Sequence, residues 1–152
     1  PTYQGELIKI GMNIKNAIQN SIDLKCPIGN KNFNLYGTIF TAPPSDPKNH
    51  SRNVCVFAGG QIDRSPTGTG VSARAAILYE KGKINLNEEI IVESIIGSTF
   101  KVSISEVNKD GLNKTVTPNV SGEAFIIARN SYILDPKDPY KNGFIIWRAI
   151  FF

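Results

Sequence analysis

Hydrophobic and polar positions alternate with helical spacing at the start of the chain. Across residues 3–21 the apolar side chains recur every three or four residues, at Leu7, Ile8, Ile10, Ile14, Ala17 and Ile18. Lysines and asparagines occupy the opposite face, so the pattern predicts an amphipathic helix. Cys26-Pro27 and Gly29-Asn30 follow and predict that the helix has ended by residue 26.

The middle of the chain predicts two strands and a second helix. Residues 33–41 and 52–57 are β-rich runs, and the second run leads into a turn at Gly59-Gly60. A helix is predicted over residues 70–81 because it has four apolar positions suited to burial and ends before Gly82. These four positions are Val71, Ala75, Ile77 and Leu78.

The rest of the chain predicts mainly strands and contains no internal repeat or low-complexity linker. Strands are expected at residues 89–95, 99–107, 114–120 and 122–133, with a turn at Lys109-Asp110-Gly111. Their alternating or continuous apolar pattern is typical of a curled antiparallel sheet. We therefore expect one α+β domain over residues 1–152, a mostly antiparallel sheet curled around the second helix, with the first helix packed outside.

Composition narrows the possible functions. The chain has 152 residues, 41% hydrophobic and 20% charged, with a net charge of +4. Its lysines are scattered and do not form a stripe with aromatic residues, which argues against nucleic-acid binding. The longest apolar stretch, residues 143–152, contains Arg148 and is too short to cross a bilayer, so no membrane association is expected.

The chain begins at Pro1 with no initiator Met and no signal-type segment, which favours an internal cut of a longer cytoplasmic protein. Cys26 and Cys55 are the two cysteines, and they have neither a CxxC spacing nor a partner His, since the single His50 is expected in a polar loop. No metal site is therefore expected. Two reduced thiols are favoured over a disulfide in such a protein.

Residues 63–73, DRSPTGTGVSA, carry the candidate chemistry between an apolar strand and a helix. Gly68, Thr69 and Gly70 allow the backbone to approach a ligand closely, and the free N–H groups of a helix start favour an anion. A carboxylate or a phosphate would fit. The same pattern is also compatible with a tight turn in which Thr69 or Ser72 caps the helix.

The longer stretch at residues 57–76, FAGGQIDRSPTGTGVSARAA, resembles the second active-site signature of the proline racemase superfamily. Residues 11–15, 93–97 and 135–140 resemble the interdomain helix, a recurrent strand segment and the C-terminal turn of the same superfamily. The resemblance implies two similar domains of the diaminopimelate epimerase type, with this chain as the C-terminal one. The substrate would be an imino acid clamped between the domains, and no cofactor is implied.

Thr67 departs from the racemase pattern. In racemases of this superfamily each domain supplies one cysteine, one taking the α-proton and the other returning it, and Thr67 stands where the second cysteine is expected. A hydroxyl is too weak an acid or base near neutral pH to replace that thiol. A Thr here resembles the trans-3-hydroxy-L-proline dehydratases, which need one base and form pyrroline-2-carboxylate after losing water.

The resemblance also implies roles for individual residues. Asp63 would accept hydrogen bonds from the ring ammonium, Gly68 and Thr69 would donate backbone N–H groups to the carboxylate, and Phe57 would pack on the pyrrolidine ring. Thr67, at the catalytic position, would bind the departing hydroxyl or hold a water. Structural alternatives stay open. Asp63 could pair with Arg64 or cap a turn, while Phe57, like the neighbouring Cys55, suits a core position.

The superfamily's other signature, a Cys-Gly-His segment that supplies the base from the N-terminal domain, does not occur in these residues. The chain alone is thus expected to be inactive and to need that domain as its partner. A homodimer is one arrangement that the sequence leaves open. Three functions remain: half of a dehydratase, a racemase or epimerase with an unusual Thr, or a non-catalytic domain that binds imino acids.

Overall fold

The computed structural model describes residues 3–25, 33–110 and 113–143. These residues form two helices and six strands of one sheet. In chain order the elements are α1 (Gln4–Ser21), β1 (Gly37–Ala42), β2 (Ser51–Phe57), β3 (Gln61–Ile62), α2 (Gly68–Glu80), β4 (Ile90–Glu93), β5 (Thr99–Asp110) and β6 (Asn113–Gly122). Cys26, the break at residues 26–30, Gly111 of the predicted turn and nearly all of the apolar stretch at 143–152 lie outside the described residues.

The sheet has the order β1-β2-β4-β5-β6, and the short β3 pairs with β2 beside that path. Every pairing is antiparallel except that of β2 with β4, which is parallel because α2 provides the crossover between them. The β5–β6 ladder is the longest, and its register shifts at Ile104 and Glu106. Such a bulge bends the strands and increases their twist. The predicted mostly antiparallel, curled sheet is confirmed.

Helix α2 lies in the concave face of this half-barrel against β5 and β6. Val71 and Ala75 of α2 are fully buried against aliphatic side chains of the sheet. The sheet and its connections contribute Ile84, Ile90, Val92, Val102 and Ile104 to the same cluster. Burying each of the larger side chains contributes about 1.5–3 kcal/mol. The prediction of a central helix is therefore confirmed, although α2 begins two residues earlier than predicted.

Helix α1 packs against β1 and β2 on the side of the sheet away from α2. Gly11 allows this close approach, since a Cβ atom there would lie 2.8 Å from the Val56 Cβ. The Thr38 hydroxyl donates to the Gly11 carbonyl at 3.0 Å and fixes the same crossing. Ile10 and Ile14 of α1 stay more than a third exposed. Neither described helix combines the length and hydrophobicity needed to span a membrane.

The prediction of a strand at residues 122–133 is wrong. Strand β6 ends at Gly122, and residues 123–135 have no regular secondary structure. Their pattern favours a strand locally, but no described strand pairs with them, and a strand needs a partner for its backbone groups. The predicted strand at 33–41 also begins late, at Gly37. The turn expected at residues 135–140 is confirmed by a 3.0 Å bond from the Asp138 N–H to the Asp135 carbonyl.

Candidate active site

A tight hairpin brings the signature residues to the edge of the sheet. Strand β2 turns at Ala58, whose φ is +48°, and β3 pairs back on it with Ile62 opposite Val56. The Asp63 N–H then donates to the Cys55 carbonyl at 3.2 Å. Lys15 of α1 secures the turn by donating to the Ala58 carbonyl at 2.7 Å. The backbone of Asp63 is thus placed by strand pairing and by a contact from α1.

The Asp63 carboxylate organises the loop at residues 63–67. One of its oxygens accepts the Ser65 N–H at 2.8 Å, and the other accepts the Thr67 hydroxyl at 2.9 Å. The Ser65 hydroxyl in turn accepts the Thr67 N–H at 3.0 Å. No Asp63–Arg64 ion pair is found among the described residues. Of the two structural alternatives for Asp63, the turn is therefore observed, and each carboxylate oxygen keeps a further lone pair for a ligand.

Thr67 stands directly before α2 in a strained backbone conformation. Its φ of +70° is rare for a β-branched residue and costs about 1–3 kcal/mol. Its side chain does not cap the helix, because the hydroxyl is donated to Asp63. The loop's three hydrogen bonds hold this conformation in place. The hydroxyl oxygen can still accept a hydrogen bond from another group.

The N-terminus of α2 is left without a side-chain cap. The first helical bond runs from the Val71 N–H to the Thr67 carbonyl at 2.8 Å, and the described residues offer no acceptor to the N–H groups of Gly68, Thr69 and Gly70. The Ser72 hydroxyl donates to the Gly68 carbonyl at 2.8 Å and so does not cap the helix either. Three free N–H groups at the positive end of the helix dipole are suited to a carboxylate.

Gly70 is needed at its position for packing. It is buried, and a Cβ atom there would collide with the Cδ1 atom of Ile39 in β1. Gly68 has open space around its Cα atom instead. One glycine of the pair therefore lets the helix approach the sheet, while the other leaves the helix end accessible to a ligand.

Phe57 and Cys55 point to the same face of β2, since side chains alternate along a strand. Phe57 is half-buried, packs on Tyr36 with ring centroids 5.6 Å apart, and does not belong to the main core cluster. Cys55 is buried. Burial raises the pKa of its thiol, the adjacent Thr67 hydroxyl lowers that pKa, and the Asp63 charge raises it further. The thiol is therefore held protonated beneath Thr67.

The loop is also tied to the turn between β4 and β5, a contact that the sequence does not predict. The Ser98 hydroxyl donates to the Arg64 carbonyl at 2.9 Å and lies 2.8 Å from the hydroxyl of the fully buried Ser94. The Ser94 N–H donates to the Ser98 carbonyl at 2.7 Å. The resemblance identifies residues 93–97 as a recurrent strand segment, but β4 ends at Glu93 and residues 94–98 form the turn that supports the loop.

Glu93 begins the segment at residues 93–97, but the sequence assigns no role to its carboxylate. Its carboxylate is 3% exposed and accepts the Ser45 N–H at 2.8 Å, the Asp46 N–H at 2.9 Å and the Asn49 amide at 2.9 Å, and it pairs with Arg52 at 3.1 Å. The Ser45 N–H, Asn49, the Asp46 N–H and, to a smaller extent, Arg52 lower its pKa to about 2. The ionised carboxylate thus joins β4 to the β1–β2 connection, directly before the segment that supports the loop.

Grooves lie against several sides of the loop. One, of about 340 Å³, is lined on one side by Arg64, Ser65, Ile96 and Ser98 and on the other by residues 123–125 and Ile127. Another, of about 220 Å³, is lined by Ser65, Ser98 and Phe125 among others. A third, of about 150 Å³, includes Asp63, Gln4 and Ile96. The loop is therefore a shallow, open surface in this chain rather than an enclosed cavity.

The curled sheet and its central helix place an uncapped helix N-terminus next to the Asp63 carboxylate, and this combination of charges is complementary to a small zwitterion. The sequence matches the family model described as proline racemase across residues 1–145. The chain belongs to the proline racemase family.

Individual relatives agree with this assignment. The chain is 40% identical over 146 residues to a trans-3-hydroxy-L-proline dehydratase of Colwellia psychrerythraea, covering 96% of this chain and 41% of the relative. It is 36% identical over 140 residues to a proline racemase of Acetoanaerobium sticklandii, covering 92% and 42%. A crystal structure of a hydroxyproline epimerase from Agrobacterium vitis with bound trans-4-hydroxy-L-proline superposes with a TM-score of 0.77 at 29% identity, covering 96% and 42%. The chain thus spans about two fifths of the length of the proteins it matches.

Proposed function

We propose that this chain is the substrate-binding C-terminal half of a cofactor-independent trans-3-hydroxy-L-proline dehydratase. The observation that carries the proposal is Thr67, which occupies the turn before α2 with its hydroxyl bonded to Asp63. A proton-exchanging thiol would be expected there in a two-base racemase. The similarity to the Colwellia dehydratase supports the same reading.

Each proposed contact uses a group that is available in the loop, at the start of α2 or at the end of β2. The free N–H groups of Gly68 and Thr69 would bind the substrate carboxylate, and Asp63 would accept hydrogen bonds from the ring ammonium. Phe57, half-buried at the end of β2, would pack on the ring. Because Asp63 also bonds Thr67, binding of the ammonium would orient the Thr67 hydroxyl at the same time.

The reaction is an elimination. A base from the other half removes the α-proton, and the electron pair forms the Cα–Cβ double bond as the Cβ–O bond breaks. The departing hydroxyl takes up a proton from the protonated base, directly or through a water, and leaves as water, which restores the base. The resulting enamine tautomerises to pyrroline-2-carboxylate. The lone pairs and proton of Thr67 would assist the departing oxygen, either directly or through a water, while the helix N-terminus would stabilise the charge that develops on the carboxylate.

A proline racemase or hydroxyproline epimerase is the second candidate, favoured by the relatives with those names. It would need a second acid or base on the far face of the α-carbon. Cys55 is poorly suited to this role because it is buried and its raised pKa opposes thiolate formation. A non-catalytic imino-acid-binding domain is the third candidate.

The test is NMR in heavy water on the full-length protein, with trans-3-hydroxy-L-proline, trans-4-hydroxy-L-proline and L-proline as separate substrates. The dehydratase proposal expects pyrroline-2-carboxylate from the first substrate and no α-deuterated enantiomer or epimer from the other two. Epimerisation or racemisation without dehydration would establish the second candidate. Binding of all three without turnover would establish the third.

A further inference from the structure

The inner face of β2 carries a buried amide that has no partner among the described residues. Val56 of β2 packs against Gly11 of α1, and because side chains alternate along a strand, Asn53 points the other way, toward α2. Asn53 is 0% exposed, and neither its Nδ2 nor its Oδ1 atom has a hydrogen-bond partner. Buried polar groups in native proteins are nearly always paired, with other protein groups or with ordered water.

Helix α2 carries a second unpaired group. The Nε atom of Arg74 is buried and has no hydrogen-bond partner, and Arg74 forms no ion pair with a carboxylate in the described part of the chain. Burial lowers the pKa of its guanidinium. Burial also lowers the pKa of His50, directly before β2, and the charge of Arg74 lowers it further. Arg74 therefore lies close to the start of β2.

The topology places these two groups opposite each other. Helix α2 connects the parallel strands β2 and β4 and therefore runs antiparallel to β2, back toward its first residue. Gly70 of α2 lies against Ile39 of β1, which pairs with Cys55 of β2. Arg74 is one turn further along the same face of α2, and Asn53 is two residues back from Cys55. Both steps cover about 6–7 Å, so Arg74 lies over Asn53.

The chemistry of the unpaired atoms indicates what joins them. Nε of Arg74 and Nδ2 of Asn53 are donors, whereas Oδ1 of Asn53 is an acceptor. An anion could accept from both donors but could not donate to Oδ1. A water can accept and donate, and three polar atoms are a normal set of partners for a buried water. We infer that an ordered water joins Asn53 of β2 to Arg74 of α2, and that this bridge positions the first turn of α2.

The bridge acts on the part of α2 that matters for the site. Val71 and Ala75 hold α2 against the sheet by apolar contacts, which have no directional preference. A hydrogen-bonded bridge has such a preference and fixes where α2 stands along β2. The N–H groups of Gly68 and Thr69 lie at the start of the same helix. Asn53 and Arg74 are thus positioning residues for the carboxylate contact, a role that rests on the proposed function.

Thermal unfolding of the full-length protein and its variants tests the bridge. Asn53→Leu keeps a similar volume but leaves Arg74 without its bridged partner, and should lower the Tm by about 4 °C. In an Arg74→Met background the same substitution should change the Tm by less than about 1 °C, since no buried N–H remains to be paired. An Asn53→Leu variant as stable as the unsubstituted protein, or additive Tm changes, would overturn the bridge.

Kinetics test the positioning role. Asn53→Leu should raise the KM for trans-3-hydroxy-L-proline about fivefold and change kcat by less than about twofold, because the carboxylate contact is present before and during the reaction. Asn53→Asp can still accept from the bridge and should restore the KM to within about twofold. Thr38→Val is the matched control, since it removes the bond to the Gly11 carbonyl on the other face of the sheet. It should lower the Tm and leave the KM unchanged.

The remaining outcomes separate the bridge from its role and from the reaction. Coupled Tm changes with an unchanged KM for Asn53→Leu would overturn the positioning role. Anomalous density from bromide between Asn53 and Arg74, in crystals soaked in that ion, would overturn the water in favour of an anion. Coupled Tm changes in a protein that turns over no imino acid would support the bridge and refute the dehydratase, and the dissociation constant of L-proline then replaces the KM. Turnover with additive Tm changes would do the reverse.

Discussion

The loop at residues 63–67 and residues 125–134, named here the exposed apolar segment, face each other across one groove, but they are held in different ways. The loop is fixed by hydrogen bonds from its own residues and from Ser98. The segment forms no such hydrogen bonds with the described residues. Its side chains are far more apolar than those of the loop. Short-range polar contacts therefore shape the loop, whereas the described residues neither bond to the segment nor cover its apolar side chains.

Assaying this chain without the proposed other half should show the largest loss of activity. We expect the purified 152-residue chain to give no turnover of trans-3-hydroxy-L-proline above background, because the base and the enclosing surface would both be missing. The full-length protein, assayed by NMR under the same conditions, is the control. Turnover by the 152-residue chain would show that the loop alone is sufficient and would remove the distinction between the two regions.

A substitution within the loop should have the second-largest effect on activity. In the full-length protein, Asp63→Ala removes the acceptor of two loop bonds and the proposed partner of the ring ammonium. We expect kcat/KM to fall on the order of 100-fold or more, since an unpaired ammonium in a dry site costs a few kcal/mol.

The matched control is Asp138→Ala, because Asp138 accepts the Tyr140 N–H at 2.8 Å in the same type of turn but lies outside the loop. It should change kcat/KM by less than twofold. Unchanged steady-state kinetics of the Asp63 variant would show that this carboxylate does no more than shape the turn.

Substitution of Glu93 tests whether its negative charge stabilises the native state. Its pKa is lowered to about 2, so its ionised form stabilises the native state fully above pH 4.5, and this contribution is lost as the pH falls towards 2. Glu93→Gln should lower the Tm at pH 7 by on the order of 10 °C. The difference from the unsubstituted protein should shrink between pH 4.5 and pH 2.

Glu88→Gln is the control for that experiment, because Glu88 is an exposed carboxylate that accepts two hydrogen bonds from Asn85. Its Tm should change by no more than about 2 °C. Thermal unfolding followed by circular dichroism across the pH range measures both variants. A Glu93→Gln difference that stays constant from pH 7 to pH 2 would contradict the charge-based account.

The tie between Ser98 and the Arg64 carbonyl should have a moderate effect. Ser98→Ala in the full-length protein removes two hydrogen bonds, to the Arg64 carbonyl and to the Ser94 hydroxyl, each worth about 1 kcal/mol. Loss of the bond to the loop should reduce kcat/KM by about fivefold. Ser105→Ala is the matched control, since Ser105 donates to the Thr117 carbonyl at 3.0 Å on the β5–β6 ladder. If both variants lower the Tm equally but only Ser98→Ala lowers kcat/KM, Ser98 has a positioning role. Equal kinetics for both variants would assign it a structural one.

Thr67→Cys should produce the smallest and most informative change. A thiol beside the helix N-terminus can approach neutral pKa and could return a proton to the far face of the α-carbon. We expect a low rate of α-deuterium incorporation into the epimers of proline or 4-hydroxyproline, with slower dehydration of the 3-hydroxy substrate. Full dehydration without any new exchange would mean that Thr67 does not face the α-carbon.

Much of the fold could be predicted because the relevant signals are local. The apolar spacing of α1 and α2 and the β-rich run of β2 identified these elements to within a few residues. The glycines of the signature and the helix that follows them likewise predicted an open helix N-terminus. Thr69 and Ser72 were alternatives as caps, and it took the structure to show that neither caps α2.

Other features were decided by tertiary structure alone. Periodicity does not indicate that Ser98 bonds the Arg64 carbonyl or that Glu93 collects donors from the β1–β2 connection, because those partners lie more than 30 residues away along the chain. It also misassigned residues 122–133, which have the pattern of a strand. A helix satisfies its own backbone, whereas a strand exists only where another strand pairs with it, and that pairing depends on which surfaces the folded molecule brings together.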